Sequence, residues 1–139
     1  MRHKLIDLPL RSDKRGNLVF AQESDQIPFA VKRIFYIYDI PRGGSRAGHA
    51  HRQQHQYLIV LSGSCRVRID DGRDRTEVRL DSPQVALYAP PLLWLDIDDF
   101  SAGSVCLVLT SDIYDEGDYV RDYAEFTHLT GAGGLSSVD

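Results

Sequence analysis

Between Leu18 and Thr110 the chain repeats one pattern: short runs rich in β-branched and aromatic residues, alternating with polar positions and cut by Gly, Pro and Asp. The runs are LVFAQ, AVKRIFYIYDI, YLIVLSG, SCRVRID, TEVRL, VALYA and SVCLVLT. Their length and spacing predict an antiparallel all-β sandwich or barrel. The segment DDGRDR at 70–75 predicts a hairpin between CRVRID and TEVRLD, because Asp71 and Gly72 supply turn chemistry. Convincing helical periodicity is absent before about residue 114, whereas YVRDYAEFTHL puts Tyr119, Tyr123 and Phe126 at helix-compatible spacing. One short C-terminal helix is expected. The last ten positions, TGAGGLSSVD at 130–139, are small, polar and glycine-rich, and predict a flexible tail after a single domain at 1–129.

A chain of 139 residues is long enough to bury one hydrophobic core and too short for two ordinary domains. Its 16 basic and 20 acidic side chains give a formal net charge of −4, which argues against general binding to nucleic acid or to anionic membranes. No apolar stretch reaches membrane-spanning length, and Met1 to Leu10 lacks the pattern of a signal peptide, so a cytoplasmic protein is expected. Cys65 and Cys106 lie inside apolar runs without CxxC spacing and read as small packed residues, not as a disulfide or zinc site.

The chemistry concentrates around His49 and His51. Two residues apart in an extended segment, their imidazoles share one face. The surrounding stretch GGSRAGHAHRQQHQYLIVLSG, from Gly43 to Gly63, resembles the first cupin motif: a Gly, five residues, HxH, a carboxylate four or five further on, and a closing Gly. Here the carboxylate position is Gln56. The segment matching the second motif, Pro90 to Leu95, ends in leucine where the fourth metal ligand, a histidine, is normally found. An amide and an aliphatic group replace two of four ligands, so no metal is expected. His55, among Gln53, Gln54 and Gln56, reads as part of a polar strand edge. The histidine pair is better suited to reversible proton transfer near neutral pH.

Further segments resemble the dTDP-4-oxo-6-deoxyglucose 3,4-ketoisomerases. They are RGNLV at 15–19, IPFAVKRIFYI at 27–37, RAGHAH at 46–51, LSGSCRVRIDDG at 61–72, LDSPQVALYAPP at 80–91, DFS at 99–101 and SDIYDEGDYVRDYAEF at 111–126. They keep their order through both cupin motifs and cover nearly the whole chain to Leu129. The resemblance implies a cupin double-stranded β-helix, or jelly-roll barrel, that needs no cofactor. It implies an enzyme that shifts the keto group of a dTDP-linked 4-keto-6-deoxyhexose from C4 to C3, and a homodimer. It makes His49 the main proton shuttle and His51 its partner at the sugar oxygens. Leu95 and Phe35 depart from the family pattern, where a histidine and a tyrosine are expected, and leave the configuration at C4 of the product open. A 3,5-epimerase-like cupin, a sugar-sensing cupin without catalysis and a metal-dependent dioxygenase are the competing readings.

A nucleoside diphosphate calls for arginine, whose planar fork matches phosphate oxygens. Arg15, Arg33 and Arg46 are the candidates, with Gln56 as a further substrate contact. Alternation puts Val31, Arg33, Phe35 and Ile37 on one strand face and Lys32, Ile34, Tyr36 and Tyr38 on the other, which favours packing over a role as second acid for Tyr36. Arg46, three residues before His49, reaches the same mouth; Arg15 lies in a turn and is singled out by the resemblance alone. Arg68, Arg75 and Arg79 read as a solvated strand face, Trp94, Tyr88 and Phe100 as core, and the acidic run DIYDEGD at 112–118 as a solvated cap.

Overall fold

The computed structural model describes residues 1–131. Its twelve strands are β1 (Lys4–Asp7), β2 (Leu10–Asp13), β3 (Gly16–Val19), β4 (Arg33–Tyr38), β5 (Arg46–His51), β6 (Gln56–Ser62), β7 (Cys65–Asp70), β8 (Arg75–Leu80), β9 (Val85–Ala89), β10 (Trp94–Asp98), β11 (Val105–Thr110) and β12 (Tyr119–Val120). One helix, α1, spans Tyr123–Leu129. Two five-stranded antiparallel sheets, ordered β1-β9-β6-β11-β4 and β12-β5-β10-β7-β8, form the jelly roll of a cupin, and β2 and β3 stand apart as a hairpin.

Alternation along the strands builds the core. Leu58, Val60, Cys106 and Val108 of the first sheet meet Cys65, Val67, Ile69, Leu95 and Ile97 of the second, all buried. Each such side chain contributes about 1.5–3 kcal/mol when fully removed from water. The run YLIVLSG is apolar on both faces because β6 is central: Tyr57 and Ile59 pack outward against Leu8, Ile27 and Phe29 of the N-terminal segments. Both cysteines are free and buried, as packed residues should be.

The 70–75 hairpin forms as expected. Asp71 Oδ1 accepts from the backbone N–H groups of Arg73 and Asp74 at 2.9 and 2.8 Å. Gly72 adopts φ +96°, and a Cβ there would lie 2.0 Å from Thr130 Oγ1, so the turn and the end of α1 fit only around glycine. Thr130 is thus packed and not part of a tail; residues 132–139 of the expected tail lie outside the described residues.

The C-terminal helix is shorter than its periodicity suggested. Tyr119 belongs to β12, which pairs with β5, and α1 begins after Asp122, whose carboxylate caps Ala124 N at 3.1 Å. Phe126 is fully buried with Ala50 and Val120 and fixes the helix to the outer face of β5. Strand β5 lies outside the runs read in the sequence and is expected only as the extended segment around His49 and His51, and strands β1, β2, β10 and β12 are absent from that reading altogether. They are short, and in WLDID only Leu95 and Ile97 face inward while Asp96 and Asp98 alternate outward. Among the described residues no helix is long and apolar enough to cross a membrane.

Candidate active site

A cavity of about 700 Å³ opens between the two sheets. One wall carries His49, Leu95, Ile97 and Tyr119 from β5, β10 and β12; the other carries Phe35, Gln56, Leu58 and Val108 from β4, β6 and β11. Arg33, Arg46 and Arg121 add positive charge to the lining, and Tyr36, Tyr38 and Ser45 further polar groups.

A one-residue bulge sets the first wall. Arg46 pairs with Ile97, Ala47 with Asp96 and His49 with Leu95, so Gly48 is the extra residue. Ala47 and Gly48 both adopt left-handed backbone, at φ +72° and +81°. Regular alternation would send residues 46 and 49 to opposite faces. With the bulge, both follow the inward-facing Ile97 and Leu95 into the cavity.

His51 sits behind His49. It is 5 % exposed and does not line the cavity. Its Nδ1 lies 3.0 Å from Asp118 Oδ2, and its Nε2 lies 3.4 and 3.3 Å from the side-chain amides of Gln54 and Gln56. Donation from Nδ1 to the carboxylate leaves Nε2 as the acceptor for the amides. Asp118 is itself held by the turn after β5: Gln53 N and Gln54 N donate to its two oxygens at 2.7 and 3.2 Å. Tyr119 covers both imidazoles, with ring centroids 4.7 Å from His49 and 4.4 Å from His51.

His49 has the opposite character. Its Nδ1 is buried and turned toward the backbone of Ala47, without a hydrogen bond of good geometry among the described residues. Burial first, then the neighbouring His51 and Arg121, push its pKa down to about 4, so the ring is neutral at pH 7 and free to accept a proton. Burial also lowers His51, with the Asp118 carboxylate opposing the shift.

The arginines differ in how free they are. Arg33 has a buried, unpartnered Nη1 and lies over the rings of Phe35 and Tyr114, at 4.9 and 5.3 Å. Arg46 forms no ion pair among the described residues. Arg121 lies 4.3 Å over Tyr119 and donates to Glu116 at 2.7 and 3.1 Å. That pair, with Tyr114, holds the Glu116 carboxyl down to about 2.

Of the residues expected from sequence, the fold brings His49, Arg33, Arg46 and Gln56 to one cavity and His51 directly behind it. Arg15 is not among the lining residues. It is at the exposed turn between β2 and β3 and pairs with Asp13 at 2.6 Å. His55 turns away, its Nδ1 2.7 Å from Tyr88 Oη. Trp94 packs on Tyr123 and Phe126, Tyr88 on Phe29, and Phe100 on the main core. Tyr36 is not core: it is 60 % exposed, stacks on Tyr38 and with it lines the cavity. Arg68, Arg75 and Arg79 form outward ion pairs with Asp98, Asp70 and Asp99.

The acidic run requires a correction. Far from being a solvated cap, it passes a buried Asp118 to His51 and leads into the cavity-lining Tyr119 and Arg121. The visible signal was the alternation of Tyr119, Val120 and Arg121 beyond Asp118, with the two polar residues on one side of the buried valine.

The metal ligands usual in this fold are not reproduced. Gln56 and Leu95 occupy the carboxylate and second-motif histidine places, and His51 is tied to Asp118 and two amides. Such a donor set does not fit a transition metal.

Known proteins share this sequence and fold. The family model described as "FdtA: WxcM-like, C-terminal" matches residues 1–131. The chain is 46 % identical over 126 residues to a TDP-4-oxo-6-deoxy-alpha-D-glucose-3,4-oxoisomerase of Aneurinibacillus thermoaerophilus, covering 91 % of each chain. It superposes on a 3,4-ketoisomerase from Helicobacter canadensis with a TM-score of 0.91 and 37 % identity, covering 94 % of this chain and 98 % of that one. The same score, with 35 % identity and 94 % coverage of both chains, relates it to a histidine-to-asparagine mutant of the 3,4-ketoisomerase QdtA from Thermoanaerobacterium thermosaccharolyticum, solved with TDP-4-keto-6-deoxyglucose. The neutral imidazole on a cavity wall, the arginines around it and these relatives converge: the chain belongs to the FdtA family of sugar 3,4-ketoisomerases.

Proposed function

We propose that this enzyme moves the keto group of dTDP-4-keto-6-deoxyglucose from C4 to C3 through an enediol. The observation that carries the reading is His49: a neutral imidazole on the wall of a cavity that also presents Arg33 and Arg46, cations without an ion-pair partner among the described residues. The C4 carbonyl acidifies the C3 proton, and His49 removes it. The electron pair becomes the C3–C4 double bond as O4 takes a proton from solvent. O3 then gives its proton to solvent, the C3 carbonyl forms, and His49 returns a proton to C4. No net proton or electron is needed.

Arg33 and Arg46 hold the diphosphate, since paired N–H donors match its oxygens. Gln56 contacts the sugar from the facing wall. His51 and Asp118 are positioning residues: their hydrogen bond fixes the imidazole on which His49 and Tyr119 rest. Arg15 has no contact with the cavity of its own chain. The exposed apolar face of Ile34, Tyr36 and Tyr38 on β4, an edge strand, supports association as a homodimer. Sedimentation at micromolar concentration checks that: a monomer rules the dimer out.

Incubation with dTDP-4-keto-6-deoxyglucose in deuterated water, followed by NMR, tests the activity. Migration of the carbonyl to C3 is expected. Deuterium at C5 without migration would mean the epimerase reading, and dTDP binding without turnover the sensor reading.

A further inference from the structure

Strand β10 has two faces, and only one belongs to the catalytic cavity. Leu95 and Ile97 line that cavity; Trp94 and Asp96 line a second one, of about 810 Å³, on the outer surface of the same sheet. The register shows how this groove forms. Trp94 pairs with Asp70 and Asp70 with Arg75 in one row across the sheet, and Asp96 with Arg68 and Arg68 with Glu77 in the next. At the end of the groove Tyr123 of α1 stands edge-on to Trp94, their ring centroids 5.2 Å apart.

Part of the groove is spent on itself. The Asp70 carboxylate accepts from Gly72 N at 2.7 Å, from Arg75 Nε at 3.1 Å and from the Tyr123 hydroxyl, which fixes the end wall in advance of any ligand. The remaining polar groups are open. Asp96 and the Trp94 indole N–H make no hydrogen bond among the described residues, and neither counts among the buried polar atoms, so both meet solvent. Arg68 turns one nitrogen to Asp98 at 3.2 Å and keeps its other N–H donors.

These open groups select the ligand by what each kind of molecule leaves unanswered. An anion suits Arg68 and the indole N–H but is repelled by the carboxylates of Asp96 and Glu77. An organic cation suits the carboxylates and leaves both donors without an acceptor. A hydroxyl both donates and accepts, so a ring carrying several of them answers a carboxylate, a guanidinium and an indole N–H together. Its C–H face is apolar and packs on aromatic rings, which Trp94 and Tyr123 provide. The volume lies in the range that takes a small organic ligand. The geometry points to a second binding site, for an uncharged mono- or disaccharide, on the back of the strand that carries Leu95. None of its residues lines the catalytic cavity, so the site stands independently of the ketoisomerase reading.

Trp94 is the only tryptophan, so the amide NMR spectrum of the protein holds one indole signal, and that signal reports the groove. Titration with methyl α-glucoside, methyl α-rhamnoside and maltose should move it saturably for at least one of the three, with a midpoint on the order of 1 mM. Asp96→Asn keeps the shape and removes the charge; it should weaken that midpoint about tenfold with an unchanged melting temperature, and Arg68→Gln should act likewise. A signal that stays still, or drifts without saturating, for all three sugars overturns the site. So does a native midpoint in both variants. A response to spermidine or inorganic phosphate at lower concentration than to any sugar overturns it too, by assigning the groove to a charged ligand.

Discussion

Two histidine–aromatic clusters lie within a few residues of each other and have opposite characters. His49 and His51 pack with Tyr119 at 4.4 to 5.0 Å between ring centroids; His55 packs with Phe29 and Tyr88 at 5.8 and 5.9 Å. In the second cluster the imidazole is satisfied: Nδ1 meets the Tyr88 hydroxyl at 2.7 Å, on the outer face of the first sheet under the N-terminal segments. In the first, His49 is left short of a partner while His51 is fully occupied. Aromatic company and partial burial are common to both. What separates a working imidazole from a packed one is a place on a cavity wall, with an anchored neighbour behind it.

The largest effect separating the clusters is expected at His49. His49→Asn should lower kcat by roughly 10² to 10⁴, the usual contribution of a general base, while dTDP affinity measured by calorimetry stays within about threefold. A kcat near the native value would erase the distinction.

Asp118 comes next. Asp118→Ala strands the His51 ring and two backbone donors, and should cost about 3 kcal/mol of unfolding free energy, as for a broken buried pair. Asp118→Asn keeps the shape and should lower kcat on the order of 10² by letting the ring pair drift, with KM changing far less. Loss of KM alone would make the aspartate a binding group.

The pH dependence sharpens the contrast further. His49 is below its ordinary value, so kcat/KM should stay flat from neutral pH downward and fall as the ring protonates near pH 4. Stability follows the same sign: the unfolded chain binds these protons first, so the contribution of His49 and His51 is complete above about pH 6.5. It declines as pH falls toward 4, read as a falling Tm. The smallest effect is expected from Tyr88→Phe, which removes the partner of His55. It should cost about 1 kcal/mol of stability and leave kcat unchanged.

Much of this was legible in the chain. The central strands announced themselves through alternation, and the histidine pair through its spacing, because both depend on residues next to one another. Asp118 could not be read that way. Sixty-seven positions separate it from His51, and only the pairing of β12 with β5 brings them together. Its acidic neighbours, exposed and bonded to Arg121 and Tyr114, gave the whole segment the look of solvent-facing charge. Tyr119 misled for a related reason: two residues of strand, followed by a break at Asp122, keep the same spacing to Tyr123 and Phe126 as a continuous helix.

The bulge at Ala47 and Gly48 bears on how this sequence tolerates change in length. Gly48 has no partner on β10, so its loss would leave Arg46, Ala47 and His49 in regular alternation opposite Ile97, Asp96 and Leu95, with the arginine and the imidazole still on one side. Loss of a regularly paired residue, Ala50 for example, would instead reverse every face upstream of it. At this one point the strand can shorten without turning a side chain out of the cavity, and a deletion of Gly48 should leave phosphate recognition and proton transfer together.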